Sequence, residues 1–138
     1  MRPTAIVFGL SVLMSSMANA QLAMTPEERM QSRFPQPVRV GDLIGYPVLD
    51  DKARTLGHIR AVVRTNNEKI ELIVECGGLF GWGSRPVAVP IEVVGIAGRH
   101  VSSLDMPDSE FAKVPTWRAA DARPLPADAV IRIALARH

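Results

Sequence analysis

The chain has 138 residues, 16 lysines and arginines against 14 acidic residues, and a single cysteine, Cys76. Its basic residues are scattered, with no cluster suited to tracking a phosphate backbone, which makes nucleic acid a poor partner. One cysteine forms no internal disulfide and lacks the fellow ligands of a structural zinc site, so a small fold must rest on core packing, helped if at all by self-association.

Residues 1–20 read as a cleavable signal peptide. Arg2 gives a positive start, residues 5–14 are an apolar run too short for a permanent span, and Ala18 and Ala20 supply the small-x-small cleavage pattern before Gln21. No cysteine follows that site to take a lipid, and no later segment is long and apolar enough for a transmembrane helix. The expected location is the periplasm, with secretion as the alternative. Losing Arg2 leaves fifteen basic residues against fourteen acidic ones, so the exported chain is nearly neutral.

Residues 21–37 are expected to be a flexible leader, with one helical turn starting at Pro26-Glu27-Glu28. Residues 38–117 carry the globular pattern. Residues 118–138 begin with a Pro- and Ala-rich linker and end on Ala129-Val130-Ile131-Arg132-Ile133-Ala134-Leu135. The β-branched residues there favour a strand, while the alanines leave a helix open.

Within 38–117 the pattern is one of short strands and turns. Tyr46-Pro47-Val48-Leu49 is followed by the polar turn Asp50-Asp51-Lys52-Ala53. Residues 55–64 alternate, with Gly57, Ile59, Ala61 and Val63 on one face and His58, Arg60 and Arg64 on the other. Thr65-Asn66-Asn67-Glu68 is a turn. Residues 69–76 alternate again, placing Ile70, Leu72, Val74 and Cys76 inward, with Ile73 out of phase. A hairpin is expected. Its inward residues, together with Val87 and Val89, should share one interior with Ile59, Ala61 and Val63.

Pro86-Val87-Ala88-Val89-Pro90 is a strand whose prolines restrict pairing. Ile91-Glu92-Val93-Val94-Gly95-Ile96 and Val101-Ser102-Ser103-Leu104 continue the β pattern across a turn at Gly98-Arg99-His100. Pro107-Asp108-Ser109-Glu110-Phe111-Ala112-Lys113 has the proline, early acids and late lysine of a short helix, stopped by Pro115. The predicted fold is mainly β: a small antiparallel barrel closed by a short C-terminal helical turn.

Four stretches resemble the PRC-barrel family, named for the cytoplasmic domain of the photosynthetic reaction-centre H subunit and also found in a ribosome maturation factor. Asp42-Leu43-Ile44-Gly45-Tyr46-Pro47-Val48 is similar to the family's opening segment. Thr55-Leu56-Gly57-His58-Ile59 resembles its second-strand entry. Gly77-Gly78-Leu79-Phe80-Gly81-Trp82-Gly83 resembles its glycine-rich loop, and Val87-Ala88-Val89-Pro90 its following strand. The first turn, Asp51-Lys52-Ala53-Arg54, lacks the glycine common there. The resemblance implies a PRC-type barrel, and a docking or scaffold module without a catalytic signature.

The residues point to no catalysis, no metal and no cofactor. His58, His100 and His138 have no serine or cysteine motif beside them. Asp50-Asp51 fits turn chemistry. The glycine loop has no P-loop lysine and precedes a strand, which excludes a phosphate cradle. Leu79, Phe80 and Trp82 are the candidate partner-binding residues, since aromatics on a loop are common anchors of interfaces; folding back to cap the barrel mouth is the alternative. The expected role is an exported, non-enzymatic protein-binding or scaffold module, with an unidentified protein partner or self-association. Small-ligand sensing and peripheral attachment to a membrane complex are the other readings.

Overall fold

The computed structural model describes residues 23–77 and 83–136. Helix α1, Pro26–Ser32, opens the described chain; Thr25 caps it by accepting the Glu28 amide, and Pro26 occupies the first turn, where a missing N–H costs nothing. Strand β1, Gln36–Arg39, runs into the single turn α2, Val40–Leu43. Then come β2 (Pro47–Leu49), β3 (Thr55–Thr65), β4 (Ile70–Cys76) and β5 (Arg85–Pro90). A 3-10 turn, Ile91–Val93, leads to β6 (Val94–Ala97) and β7 (His100–Ser103). Helix α3, Asp108–Lys113, is the expected short helix; a second 3-10 turn, Ala119–Asp121, precedes β8 (Ala122–Pro124) and β9 (Val130–Leu135).

The protein is mainly β, as its alternating pattern requires. Among the described residues the strands join in the order β1-β9-β6-β7-β2-β3-β4-β5, with β8 on β3. Most ladders are antiparallel, but β2 pairs β7 and β6 pairs β9 in parallel, so the sheet is mixed. It wraps one interior. Val87 and Val89 of β5 and Ile131 and Ile133 of β9, far apart in strand order, share a core cluster with Leu43, Val48, Ile59, Leu72 and Val101.

The β3–β4 hairpin forms across Thr65-Asn66-Asn67-Glu68. Glu68 takes the left-handed conformation (φ 61°) and Thr65 pairs with Lys69 through its amide. Register differs from simple alternation in one place. Ile59 faces Val74, but Ala61 faces Ile73 and Val62 faces Leu72, so Arg60 is an extra residue in the ladder. Such a bulge shifts every later side chain to the other face. Val62 therefore enters the interior, whereas Ala61 and Val63, expected inside, point to the opposite face. There they meet Ile73, Ala88, Ala122 and Trp117 in a second buried cluster. Ile73 is out of phase on β4 because it is the centre of that cluster.

Both ends of the described chain are built into the fold. Residues 26–37, part of the expected flexible leader 21–37, contribute α1 and the first half of β1. Met30 is buried, and Arg33 grips Asp105 through two hydrogen bonds of 2.7 and 2.9 Å. From the expected linker, β8 pairs with β3 over Val63–Thr65, and the Leu125 amide donates to the Val62 carbonyl at 2.8 Å. Residues 130–135 form a strand held between β1 and β6.

Candidate functional site

Two ends of the barrel carry features beyond packing. At the first, β4 leaves at Cys76 and β5 returns at Arg85, its register partner. Gly77 and Gly83 both adopt left-handed φ, 75° and 77°, where a side chain would be strained. They are the stems of the glycine loop. Leu79, Phe80 and Trp82 lie outside the described residues.

The rim beside the stems is tied to α3. The Arg85 guanidinium donates to the carbonyls of Val114 (2.6 Å), Phe111 (2.9 Å) and Ala112 (3.2 Å). A helix C-terminus leaves its last carbonyls without intrahelical partners, and a cation there meets the negative end of the helix dipole. Phe111, the buried residue of α3, anchors the other side. Between these elements lies a cleft of about 260 Å³ lined by Leu56, Cys76, Arg85, Phe111 and the two stem glycines. Burial pushes the Cys76 thiol up; the nearby Arg85 charge opposes this without reversing it. The thiol stays protonated at neutral pH, which disfavours nucleophilic work, since the thiolate is the reactive form.

The other residues singled out by sequence are scattered. His58 is exposed on β3, as expected from its face, and His100 opens β7. His138 lies outside the described residues. Asp50 is a turn residue in the full sense: its carboxylate accepts the amides of Arg54 (2.8 Å) and Lys52 (2.9 Å) and the Arg54 Nε (2.9 Å). The Arg54 amide foremost holds that carboxyl below the usual range. Among the described residues no three of His, Cys, Asp and Glu come together as a metal site.

Residues 37–103 match the family model of the PRC-barrel domain. This chain carries a PRC-barrel domain. The match runs from β1 through β7, and the physical reason for one of its glycines is visible. A Cβ on Gly57 would lie 2.1 Å from the Glu75 carbonyl oxygen, so only glycine lets β3 approach β4 there. Helix α3 and strands β8 and β9 lie beyond the matched part of the PRC-barrel chain. No curated protein matches the chain.

Sequence reasoning missed three arrangements. The Arg33–Asp105 clamp joins residues 72 positions apart, and no local pattern announces it. The cover of the outer sheet face by Trp117 and Ala122 depends on the bulge at Arg60. At the second end of the barrel, Glu71 and Glu92 come close enough to repel, although one sits on a strand and the other in a 3-10 turn.

Proposed function

We propose that this PRC-barrel protein is exported to the periplasm and acts there as a non-enzymatic protein-binding or scaffold module, with the glycine-loop end as its binding surface. Export is supported by Arg2, the apolar run of residues 5–14 and the small residues Ala18 and Ala20. Among the described residues no helix is long and apolar enough to cross a membrane.

The observation that carries the binding role is the braced cleft at the loop stems. Its walls are mostly apolar, Arg85 fixes it to α3, and its one thiol is held protonated. At about 260 Å³ it falls just under the roughly 300 Å³ at which small-molecule pockets begin. That favours a side chain of a protein partner over a whole ligand. The cleft is lined by the loop stems Gly77 and Gly83, and the sequence between them carries Leu79, Phe80 and Trp82, large apolar residues of the kind that anchor interfaces.

N-terminal sequencing of the protein from periplasm should find Gln21; Met1 retained on the folded protein would overturn export. Partners cross-linked to the protein in its own periplasm should be lost on Trp82→Ala, with association weakened by about 2 kcal/mol or more at an unchanged unfolding midpoint. A lowered midpoint with unchanged affinity of the folded fraction would make Trp82 a cap of the barrel and remove this surface.

A further inference from the structure

At the end of β4 opposite the glycine loop, a groove of about 390 Å³ runs between α1, the β3–β4 hairpin and the turn after β5. Its walls include the apolar side chains of Pro26, Ile70, Pro90 and Val93, and three carboxylates border it, Glu27, Glu71 and Glu92. Lys69 also lines the groove, and its ammonium is drawn to Glu92 as well as to Glu27. Lys69 bonds Glu27 at 2.8 Å, and Arg64 and Arg123 both lie on Glu68, at 3.2 and 3.7 Å. Neither Glu71 nor Glu92 has an ion-pair partner among the described residues.

We infer that this groove docks a basic segment of a partner polypeptide, which lays an apolar side chain against Ile70, Pro90 and Val93 and brings a lysine or arginine to Glu71 and Glu92. Charge complementarity selects that occupant. An apolar side chain alone would fill the floor but leave the groove's carboxylates, Glu27, Glu71 and Glu92, in excess over the single ammonium of Lys69, and an acidic partner would add to their repulsion. A basic residue with its long apolar stem satisfies both parts of the groove. Burial and the neighbouring Glu92 already push the Glu71 carboxyl up, so an arriving cation relieves an existing electrostatic cost. The site lies at the other end of β4 from the glycine-loop stems.

The test uses three labelled, end-blocked pentapeptides with Lys-Leu-Lys, Gln-Leu-Gln or Glu-Leu-Glu between glycines, titrated into the protein by fluorescence anisotropy at low salt. The lysine peptide should bind saturably, and the glutamine peptide about tenfold more weakly or worse, as loss of close charge pairs at an interface predicts. Glu71→Gln with Glu92→Gln should weaken the lysine peptide to the same degree without lowering the unfolding midpoint. Glu71→Lys with Glu92→Lys should reverse the preference toward the glutamate peptide, which a mere folding defect would not do. Equal binding of the lysine and glutamine peptides would overturn the inference. So would indifference to both double variants, no saturable binding up to about 1 mM, or self-association of the protein that the variants abolish.

Discussion

Leu72 and Ile73 are neighbours on β4, both fully buried, and they belong to different cores. Leu72 faces the barrel interior, which strands from the whole chain enclose. Ile73 faces outward onto a cluster that exists because the chain returns after α3 and lays Trp117 and Ala122 over it. One face is buried where the curved sheet wraps a shared interior, and the other by a cover. Each cover is pinned differently. Over the interior, Met30 of α1 is held through the Arg33–Asp105 clamp. On the outer face, the Trp117 amide donates to the Pro86 carbonyl at 2.8 Å and β8 pairs with β3. Prolines 86 and 90 suit β5 to being the last strand in the path, since neither has an N–H to offer a new partner.

The largest expected effect separates the two cores directly. Leu72→Ala should cost about 3–5 kcal/mol and Ile73→Ala about 2–3, both within the range for buried aliphatic truncation, as read from urea unfolding. The smaller cluster has fewer side chains around the lost methyls and a cover that can settle inward. A larger loss at Ile73 would mean that the outer cluster is the principal core.

Trp117→Ala comes next, at about 2 kcal/mol, below the roughly 3–5 typical of a fully buried aromatic. The indole is only partly buried, and its Nε1 is enclosed without a hydrogen-bond partner among the described residues, which already lessens its net value. The variant should also speed hydrogen exchange at residues 115–125 before the interior strands are affected. Simultaneous loss of protection in both would merge the two cores into one cooperative unit.

A pH series sharpens the contrast between the covers. The Arg33 hydrogen bonds hold the Asp105 carboxyl below its usual range, with Arg29 adding to the effect. A folded value below the unfolded one contributes stability above the unfolded carboxyl pKa of about 3.9, and that stability is lost as pH falls through the folded value. Arg33→Gln should therefore lower the midpoint at neutral pH, with the difference shrinking as the pH approaches about 2. A constant difference would show the clamp to act by packing alone.

The smallest effect has the opposite sign. Glu71 is raised, first by burial and then by Glu92. Its protonated form favours the fold, and this contribution disappears as pH rises through the raised folded value. Glu71→Gln should raise the midpoint slightly at neutral pH, and the gain should vanish in acid. A lower midpoint at neutral pH would mean that the Glu71 carboxylate has a counter-ion.

Much of the fold was legible because local residues decide it. The period of two in residues 55–64 and 69–76 gives two strands, and Thr65-Asn66-Asn67-Glu68 gives their hairpin through a left-handed Glu68. Pro107 and the acids after it give α3, and Asp50 builds its turn with its own neighbours. The candidate site was legible only as composition, aromatics among glycines. What the described residues add is the braced stem beside them, made when Arg85 reaches the carbonyls of a helix some 26 to 29 positions away.

The sequence by itself determined the β3–β4 hairpin, the strand β5 and which residues of β4 and β5 turn inward, because alternation and turn chemistry act over a few residues; β1 and β8, too short and too rich in proline and alanine to alternate, it did not. Only the tertiary structure decided the bulge at Arg60, the second core on the outer face, the parallel pairings of β2 with β7 and β6 with β9, and the meeting of Glu71 with Glu92. Each depends on strands and covering segments that the tertiary fold brings together, and not on the residues next to it in sequence.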